Sequence, residues 1–238
     1  MNSGPAVSLP PSRKKRPALS QCAVFFDFDN TLTSVDVLDD ILERFSVDNK
    51  WRALEEEWQA GKLGTKECLE GQFRSVRVTK ERLEQYLSTV TIDPSFTELL
   101  GFLKERKIPA MIVSDNFSWV IKKILKFQGI SGILVYSNEI EFQKDRLAPS
   151  FPYQDPACPR CAHCKKRHLL SQSDKTLIYI GDGLSDVCPA QEADWVFAKG
   201  SLLEYLKENG RPCIPFETLT EVHRYFLEWG ENGKLKNH

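Results

Sequence analysis

The sequence predicts an α/β fold with a mostly parallel sheet and helices on both of its faces. Three apolar runs, at 24–26, 108–113 and 175–180, have the composition of buried strands. Between them, apolar residues recur every three or four positions, which is typical of amphipathic helices. Because strands and helices alternate along the chain, the sheet is expected to be mostly parallel.

The remaining elements follow from the same patterns. From 37 to about 86, apolar residues at helical spacing predict three or four short helices, with Thr79 as an N-cap. A polar and proline-rich stretch is expected from 138 to 164. The other predicted elements are, in order, a helix at 94–106, a helix around 120–125, a strand at 132–137, a short helix at 168–171, a strand at 195–198 and a helix at 218–229.

The chain is long enough for one large domain, or for one domain with an insertion. Its 238 residues are 41% apolar, which supports a full hydrophobic core. We predict a core domain formed by 21–35 and 93–230. The helical segment 36–92 is inserted in it as a cap, and tails at 1–20 (disordered) and 231–238 flank it.

The charge and composition of the chain indicate which classes of partner and which cellular location to expect. The formal net charge of −1 gives no reason to expect nucleic acid or an anionic membrane as the main partner, and no apolar run approaches the ~18 residues that span a bilayer. The basic run 13–16 is either a targeting signal or, as we favour, a solvated patch. Seven cysteines without an apolar secretory leader favour a reducing compartment, and we expect a cytoplasmic protein.

Two carboxylates follow the first strand. Asp27 and Asp29 are one residue apart at the point where the strand pattern ends. Since alternate side chains of a strand share a face, both can point into the crevice where open parallel sheets bind ligands. Two close carboxylates repel each other, and a hard cation such as Mg²⁺ would relieve the repulsion. In the alternative interpretation, Asp29 caps a helix.

Two further strand ends carry residues suited to phosphate and metal. After the second strand, the hydroxyl of Ser114 and the N–H groups of Asp115 and Asn116 can hold a phosphoryl oxygen. The third strand ends in a Gly-Asp-Gly sequence that contains Asp182, and Asp186 follows one helical turn later.

In this order, the motifs resemble those of the haloacid dehalogenase superfamily of phosphohydrolases, with its Rossmann-like fold. The resemblance extends from about residue 22 to 216. It implies that Asp27 is the nucleophile that forms an aspartyl-phosphate and that Asp29 is the general acid and base. Mg²⁺ would be held by Asp27, the Asp29 carbonyl and Asp182, with Asp186 in support.

The resemblance also implies a lysine that binds the phosphate of the substrate together with Ser114. Lys165 and Lys166 both follow Cys164, and the spacing from Lys165 to Leu169 fits related phosphatases best. Lys165 is therefore the predicted phosphate-binding lysine, and Lys166 is the alternative.

The inserted helical cap resembles that of phosphoserine phosphatase relatives, which act on small diffusible phosphates. The segments around Cys164 and Asp182 resemble two groups: the 2-hydroxy-3-keto-5-methylthiopentenyl-1-phosphate phosphatases and the phosphoethanolamine/phosphocholine phosphatases. We therefore expect a Mg²⁺-dependent phosphomonoesterase that acts on a small phosphorylated metabolite and is most like the first of these two groups. The alternatives are a phosphoserine phosphatase, a phosphoethanolamine/phosphocholine phosphatase and a catalytically idle binding protein. In the cap, Gln72 and Arg74 are candidate substrate contacts, although an exposed helical arginine is the more common role for Arg74.

Three evenly spaced cysteines stand apart from these motifs. Cys158, Cys161 and Cys164 have zinc-type spacing, and His168 or His163 could supply a fourth ligand to a structural Zn²⁺. Free thiols in a loop are the alternative interpretation.

Overall fold

The computed structural model describes residues 16–234. Within them strands and helices alternate, except that five helices follow the first strand and that two strands in the middle of the chain are consecutive. The described residues form seven strands and ten α-helices. The strands are β1 Cys22–Phe26, β2 Ala110–Phe117, β3 Leu134–Gln143, β4 Arg146–Ser150, β5 Thr176–Gly181, β6 Trp195–Ala198 and β7 Ile214–Pro215. The helices are α1 Val37–Phe45, α2 Lys50–Gln59, α3 Thr65–Phe73, α4 Lys80–Leu87, α5 Ser95–Glu105, α6 Ser118–Phe127, α7 Lys165–Leu170, α8 Val187–Glu192, α9 Gly200–Glu208 and α10 Leu219–Lys234.

The chain divides into two compact units. The first contains the described residues up to Asp27, then Asp93–Ala110 and the described residues from Leu169 onward; the second contains Phe28–Ile92 and Met111–His168. The predicted cap, 36–92, falls wholly within the second unit. The domain boundaries that we assigned from sequence remain a prediction.

The first unit is built on four parallel strands in the order β1-β5-β6-β7. All five residues of β1 are buried, which is why its sequence is a continuous apolar run. Register pairs Cys22 with Thr176 and Phe26 with Ile180, so β1 and β5 end side by side. Helices α5 and α10 complete the core through aromatic contacts: Phe96 packs edge-on against Phe26 at 5.3 Å.

The second unit contains β2, β3 and β4 together with the four cap helices. Strand β2 pairs parallel with β3, and β3 pairs antiparallel with β4. The four helices α1 to α4 agree with the three or four predicted from spacing. Thr79 is confirmed as the N-cap of α4, because its hydroxyl accepts the Arg82 N–H.

The sequence predicted no strand or helix within the polar, proline-rich stretch 138–164, but part of this stretch forms regular structure. Strand β3 continues to Gln143 and turns at Lys144, whose φ is +60°, into β4. Half-buried Ile140 and Phe142 alternate with exposed Glu139 and Glu141, a period-two pattern that marks a strand with one packed face. Phe142 packs against the Trp119 ring at 4.7 Å, and this tertiary contact stabilises the hairpin.

Three elements near the C-terminus were also missed. Helix α8 and strand β7 are only six and two residues long, too short for a periodic signal. Helix α9 does carry one, because Leu202 and Leu206 are buried four residues apart.

The predicted tails lie only partly within the described residues. Residues 1–15, with most of the basic run, and residues 235–238 lie outside them. Within the described part, the Trp229 indole donates to the Pro17 carbonyl (2.8 Å), and the Arg16 guanidinium lies 4.5 Å above the Tyr225 ring. None of the described helices is both long enough and apolar enough to cross a membrane.

Candidate active site

The first unit brings three carboxylates together at the ends of β1 and β5. Asp27 directly follows β1 and donates its N–H to the Ile180 carbonyl (2.9 Å), while Asp182 directly follows β5. Asp186 is fully buried, and one carboxylate oxygen from each of the three residues lies within 4.8 Å of the other two. Parallel pairing of two strands that end in aspartates thus places the acidic groups at one edge of the sheet.

Asp186 is fixed by hydrogen bonds to both of its oxygens. The Tyr179 hydroxyl donates to Oδ1 (2.6 Å), and the N–H groups of Asp182 and Gly183 donate to Oδ2 (3.0 and 3.1 Å). A Cβ at Gly181 would lie only 2.5 Å from Oδ2, so glycine is required there for the approach. The neighbours of Asp186 therefore fix the orientation of its carboxylate, which agrees with the supporting role in metal binding that the sequence predicts for it.

The donor set of this cluster fits Mg²⁺. Three carboxylates supply hard oxygen ligands, and their mutual repulsion favours a bound cation. Asp29, which we had also assigned to the metal, belongs to the second unit, where its carbonyl accepts the Thr31 N–H (2.6 Å). Its part in metal binding remains a prediction.

In the second unit, the predicted phosphate-binding residues lie at an irregularity of β2. We expected a turn after Ser114, but β2 continues to Phe117 with a shift of register against β3 between these two residues. The Asn116 N–H donates to the Ser114 hydroxyl (3.0 Å), and the Asn138 amide donates to the Asp115 carbonyl (2.6 Å). A bulge of this kind re-aims side chains at the end of a strand.

The carboxylate of Asp29 is surrounded by donors. Its Oδ1 accepts the N–H of Val37, the first residue of α1 (2.9 Å). The side-chain nitrogen of Asn116 lies 2.9 Å from both carboxylate oxygens. Asp29 therefore does contact a helix start, as the capping interpretation required, and it also contacts the end of β2.

Lys165 is buried at the start of α7. Its side chain is 2% exposed, and its ammonium lies 3.6 Å from an Asp115 carboxylate oxygen. Lys166, the alternative, is half-buried. Sequence order placed Asp115 and Lys165 fifty residues apart, and the fold of the second unit brings them together.

Two histidines next to Lys165 are held neutral. Burial lowers the pKa of His163 to about 2, with smaller contributions from the charges of His168 and Lys165. Burial also lowers the pKa of His168 to about 4, assisted by Arg167. The two imidazoles stack with ring centroids 4.8 Å apart. Lys165 is thus flanked by uncharged rings.

The candidate cap residues have local partners. The amide of Gln72 is buried and donates to the Glu55 carboxylate (3.0 Å), whereas Arg74 is exposed at the end of α3. Between them, Phe73 packs edge-on against Phe117 at 4.9 Å as part of the core.

The cysteine triplet does not form a metal centre in the described structure. Among the described residues, the group of ligand atoms close enough to hold an ion is the aspartate cluster, and Cys158, Cys161, Cys164 and His168 do not form such a group. The zinc prediction is therefore not supported. Among the described residues, these cysteines form no disulfide. Burial acts to raise the pKa of Cys158, but hydrogen bonds from the backbone of Arg160 and from Cys161 outweigh it, so that the pKa is lowered.

One contributor to the site was not foreseen from the sequence. Tyr179 orients Asp186 from within a buried strand, where a tyrosine resembles any other core residue. The contact of the Val37 N–H with Asp29 was anticipated only by the interpretation in which Asp29 caps a helix. Only the glycine at 181, next to an aspartate motif, hinted at a close approach.

Comparison with known proteins places these residues in a family. The family described as "Putative Phosphatase" matches residues 22–205. The chain is 30% identical over 210 residues to a 2-hydroxy-3-keto-5-methylthiopentenyl-1-phosphate phosphatase of Bacillus thuringiensis (strain Al Hakam), covering 84% of this chain and 93% of the relative. A protein of the same name from Geobacillus thermodenitrificans (strain NG80-2) is 29% identical over 212 residues, with 85% and 94% covered.

Solved structures share the fold. A phosphoserine phosphatase carrying an analogue of the phospho-aspartyl intermediate superposes with a TM-score of 0.66 at 20% identity. The alignment covers 86% of this chain and 98% of that one. At this identity the similarity concerns the architecture.

Proposed function

Because the chain belongs to the "Putative Phosphatase" family and is a phosphatase of the haloacid dehalogenase superfamily, we propose that its catalytic nucleophile is Asp27. The observation that carries the proposal is the convergence of Asp27, Asp182 and Asp186 at the carboxyl ends of two paired parallel strands.

The reaction proceeds in two displacements. A carboxylate oxygen of Asp27 bonds to phosphorus and the ester P–O bond breaks, while Asp29 donates its proton to the departing oxygen. Asp29 then removes a proton from water, the water oxygen bonds to phosphorus, and the bond to Asp27 breaks. Inorganic phosphate leaves, and both aspartates return to their starting forms.

The remaining residues neutralise charge. Asp27, Asp182 and the Asp29 carbonyl would hold Mg²⁺, with Asp186 in support. When bound, the ion would supply positive charge beside the phosphoryl group, so that a carboxylate could approach it. Ser114 and the N–H of Asp115 hold phosphoryl oxygens together with Lys165. The Asn116 N–H, which we had also assigned to the phosphate, donates to the Ser114 hydroxyl. The burial of Lys165 and its ion pair with Asp115 support Lys165 over Lys166.

We propose 2-hydroxy-3-keto-5-methylthiopentenyl-1-phosphate as the substrate, acted on in the cytoplasm. Support for the substrate comes from relatives of that name that align along more than nine-tenths of their length. The phosphoserine alternative needs a group for the substrate carboxylate, and Arg74, our candidate for it, is exposed at the end of α3. The cytoplasmic location is supported by the seven cysteines, all described, which form no disulfide and therefore suit a reducing compartment.

Replacement of the nucleophile tests the mechanism. Asp27→Asn should lower kcat/KM on p-nitrophenyl phosphate in Mg²⁺ by about 10³-fold or more, because an amide cannot form the acyl phosphate. The matched control is Asp174→Asn, which changes an exposed carboxylate paired with Lys175 and should keep wild-type activity. Undiminished turnover by Asp27→Asn would refute the mechanism.

A panel of natural esters tests the substrate. The enol phosphate should give the highest kcat/KM, above phosphoserine, phosphoethanolamine and phosphocholine. A wild-type protein inert toward the whole panel and toward p-nitrophenyl phosphate would instead favour the idle binding protein.

A further inference from the structure

The side chain of Asn116 is held in one orientation. Its residue is fully buried, and its Oδ1 accepts the N–H of Phe117 (2.6 Å). The NH₂ group must then point the other way, to Asp29, where it lies 2.9 Å from both carboxylate oxygens. A flipped amide would set two donors against each other and its oxygen against a carboxylate.

The same carboxylate receives a third contact from the cap. The Val37 N–H, 2.9 Å from Oδ1, belongs to the first residue of α1. Asp29 therefore closes the loop of eight residues that leads from the first strand into the cap, a loop further fixed by the Thr33 hydroxyl bonded to the Val35 carbonyl (2.8 Å).

These contacts leave Asp29 little freedom to rotate. Turning its carboxylate away would cost two amide contacts and one backbone hydrogen bond, each to a charged acceptor. Such an arrangement holds the Asp29 carboxyl group in one orientation for proton transfer.

We propose that Asn116 is a positioning residue for proton transfer by Asp29. Its amide sets the orientation of the carboxylate, and the Val37 N–H couples that orientation to the start of the cap. The backbone N–H of Asn116 is separately donated to Ser114, so the side chain is free to serve Asp29. The inference rests on the proposed function, in which Asp29 moves the proton.

Two esters with different leaving groups test it. Asn116→Leu keeps the side-chain size and removes the amide. The p-nitrophenolate ion departs without a proton, whereas the alkoxide of glycerol 2-phosphate needs one. We expect kcat/KM of the variant to fall about 10²-fold on glycerol 2-phosphate and less than about 3-fold on p-nitrophenyl phosphate. Since kcat/KM covers only the steps up to departure of the leaving group, hydrolysis of the intermediate does not enter.

A double-mutant cycle locates the effect at Asp29. In an Asp29→Asn background, Asn116→Leu should change kcat/KM on glycerol 2-phosphate by less than about 3-fold, because the group it positions is already absent. Ser118→Ala changes another buried polar residue beside Phe117 and should not discriminate between the two esters.

A second variant covers the case in which leucine prevents folding. Asn116→Ala removes the same amide without introducing a branched apolar side chain. Its kcat/KM should likewise fall far more on glycerol 2-phosphate than on p-nitrophenyl phosphate.

Equal losses on the two esters in the folded variants would overturn the inference while the proposed function stands. A wild-type protein inert on both esters would overturn the two together.

Discussion

The orientation of individual carboxylates in this protein is fixed by the hydrogen bonds that they accept. Asp186 is buried in the first unit, yet its oxygens are satisfied by Tyr179 and by two backbone N–H groups. In the second unit, the Asp29 carboxylate likewise accepts hydrogen bonds from the Asn116 amide and the Val37 N–H. A buried carboxylate without such donors would cost several kcal/mol, roughly, so these partners are a condition for placing acidic groups in the fold.

The buried His163 makes stability depend on pH. Its pKa falls from 6.5 to about 2 on folding, so between these values the unfolded chain binds a proton that the folded chain does not. Stability is therefore present above pH 6.5 and is lost as pH falls, by about 1.4 kcal/mol per pH unit at most for one histidine. His163→Phe should lose less free energy of unfolding between pH 7 and pH 5 than wild type, measured by urea denaturation.

The comparison needs a variant that alters the packing beside His163 and keeps the imidazole. Tyr153 packs edge-on against His163 at 5.1 Å, and Tyr153→Phe should keep the wild-type slope of stability against pH. An unchanged slope in His163→Phe would contradict the assignment of the acid sensitivity to this residue.

With the exception of α9, whose periodic signal was missed, elements were predicted well where their signal is local and poorly where it depends on a packing partner. The apolar runs of β1 and β5 and the spacing of α1 to α4 reflect burial that each segment carries by itself. The β3–β4 hairpin was missed, because its strand is only half-buried and its register depends on packing of Phe142 against Trp119.

The N-cap of α4 gives a prediction at this scale. Thr79→Ala removes the hydroxyl that accepts the Arg82 N–H and should lower the free energy of unfolding by about 1 kcal/mol. Thr79→Ser keeps an acceptor and should remain close to wild type in urea denaturation. Equal stability of the alanine and serine variants would show that the cap contributes nothing.

At the scale of the whole molecule, each unit holds part of the proposed chemistry. The first contains the nucleophile and the carboxylate cluster, and the second contains Asp29, Ser114 and Lys165. In the first unit, Asp27 and Asp182 directly follow β1 and β5; in the second, Ser114 lies within β2 and Lys165 begins α7.

The carboxylate cluster predicts that Mg²⁺ stabilises the folded chain. A cation bound only by the folded state adds about 2.7 kcal/mol at a concentration 100 times its Kd, so Tm should rise with added Mg²⁺. Asp182→Asn should abolish most of that rise. In chelator, the same variant should be at least as stable as wild type, because one of three repelling charges is gone.

The control replaces a carboxylate outside the cluster. Asp194 accepts the Leu177 N–H (3.0 Å), so Asp194→Asn tests loss of a charge near β5 without loss of a cluster oxygen. It should retain the Mg²⁺-dependent rise in Tm. A wild-type protein whose Tm does not respond to Mg²⁺ would argue against a metal at these aspartates.

The sequence alone determined three features: the order of the main buried strands along the chain, the aspartates that follow two of them and the helical segment after β1. It could do so because burial and periodicity are properties of short segments. The parallel register that sets Asp27 beside Asp182 follows from them once β1 pairs with β5. Only the tertiary structure decided the partners of these residues. Asn116 lies 87 positions from Asp29, and Lys165 lies fifty from Asp115. Hydrogen bonds and ion pairs over such separations depend on how strands and loops pack, which no local pattern encodes.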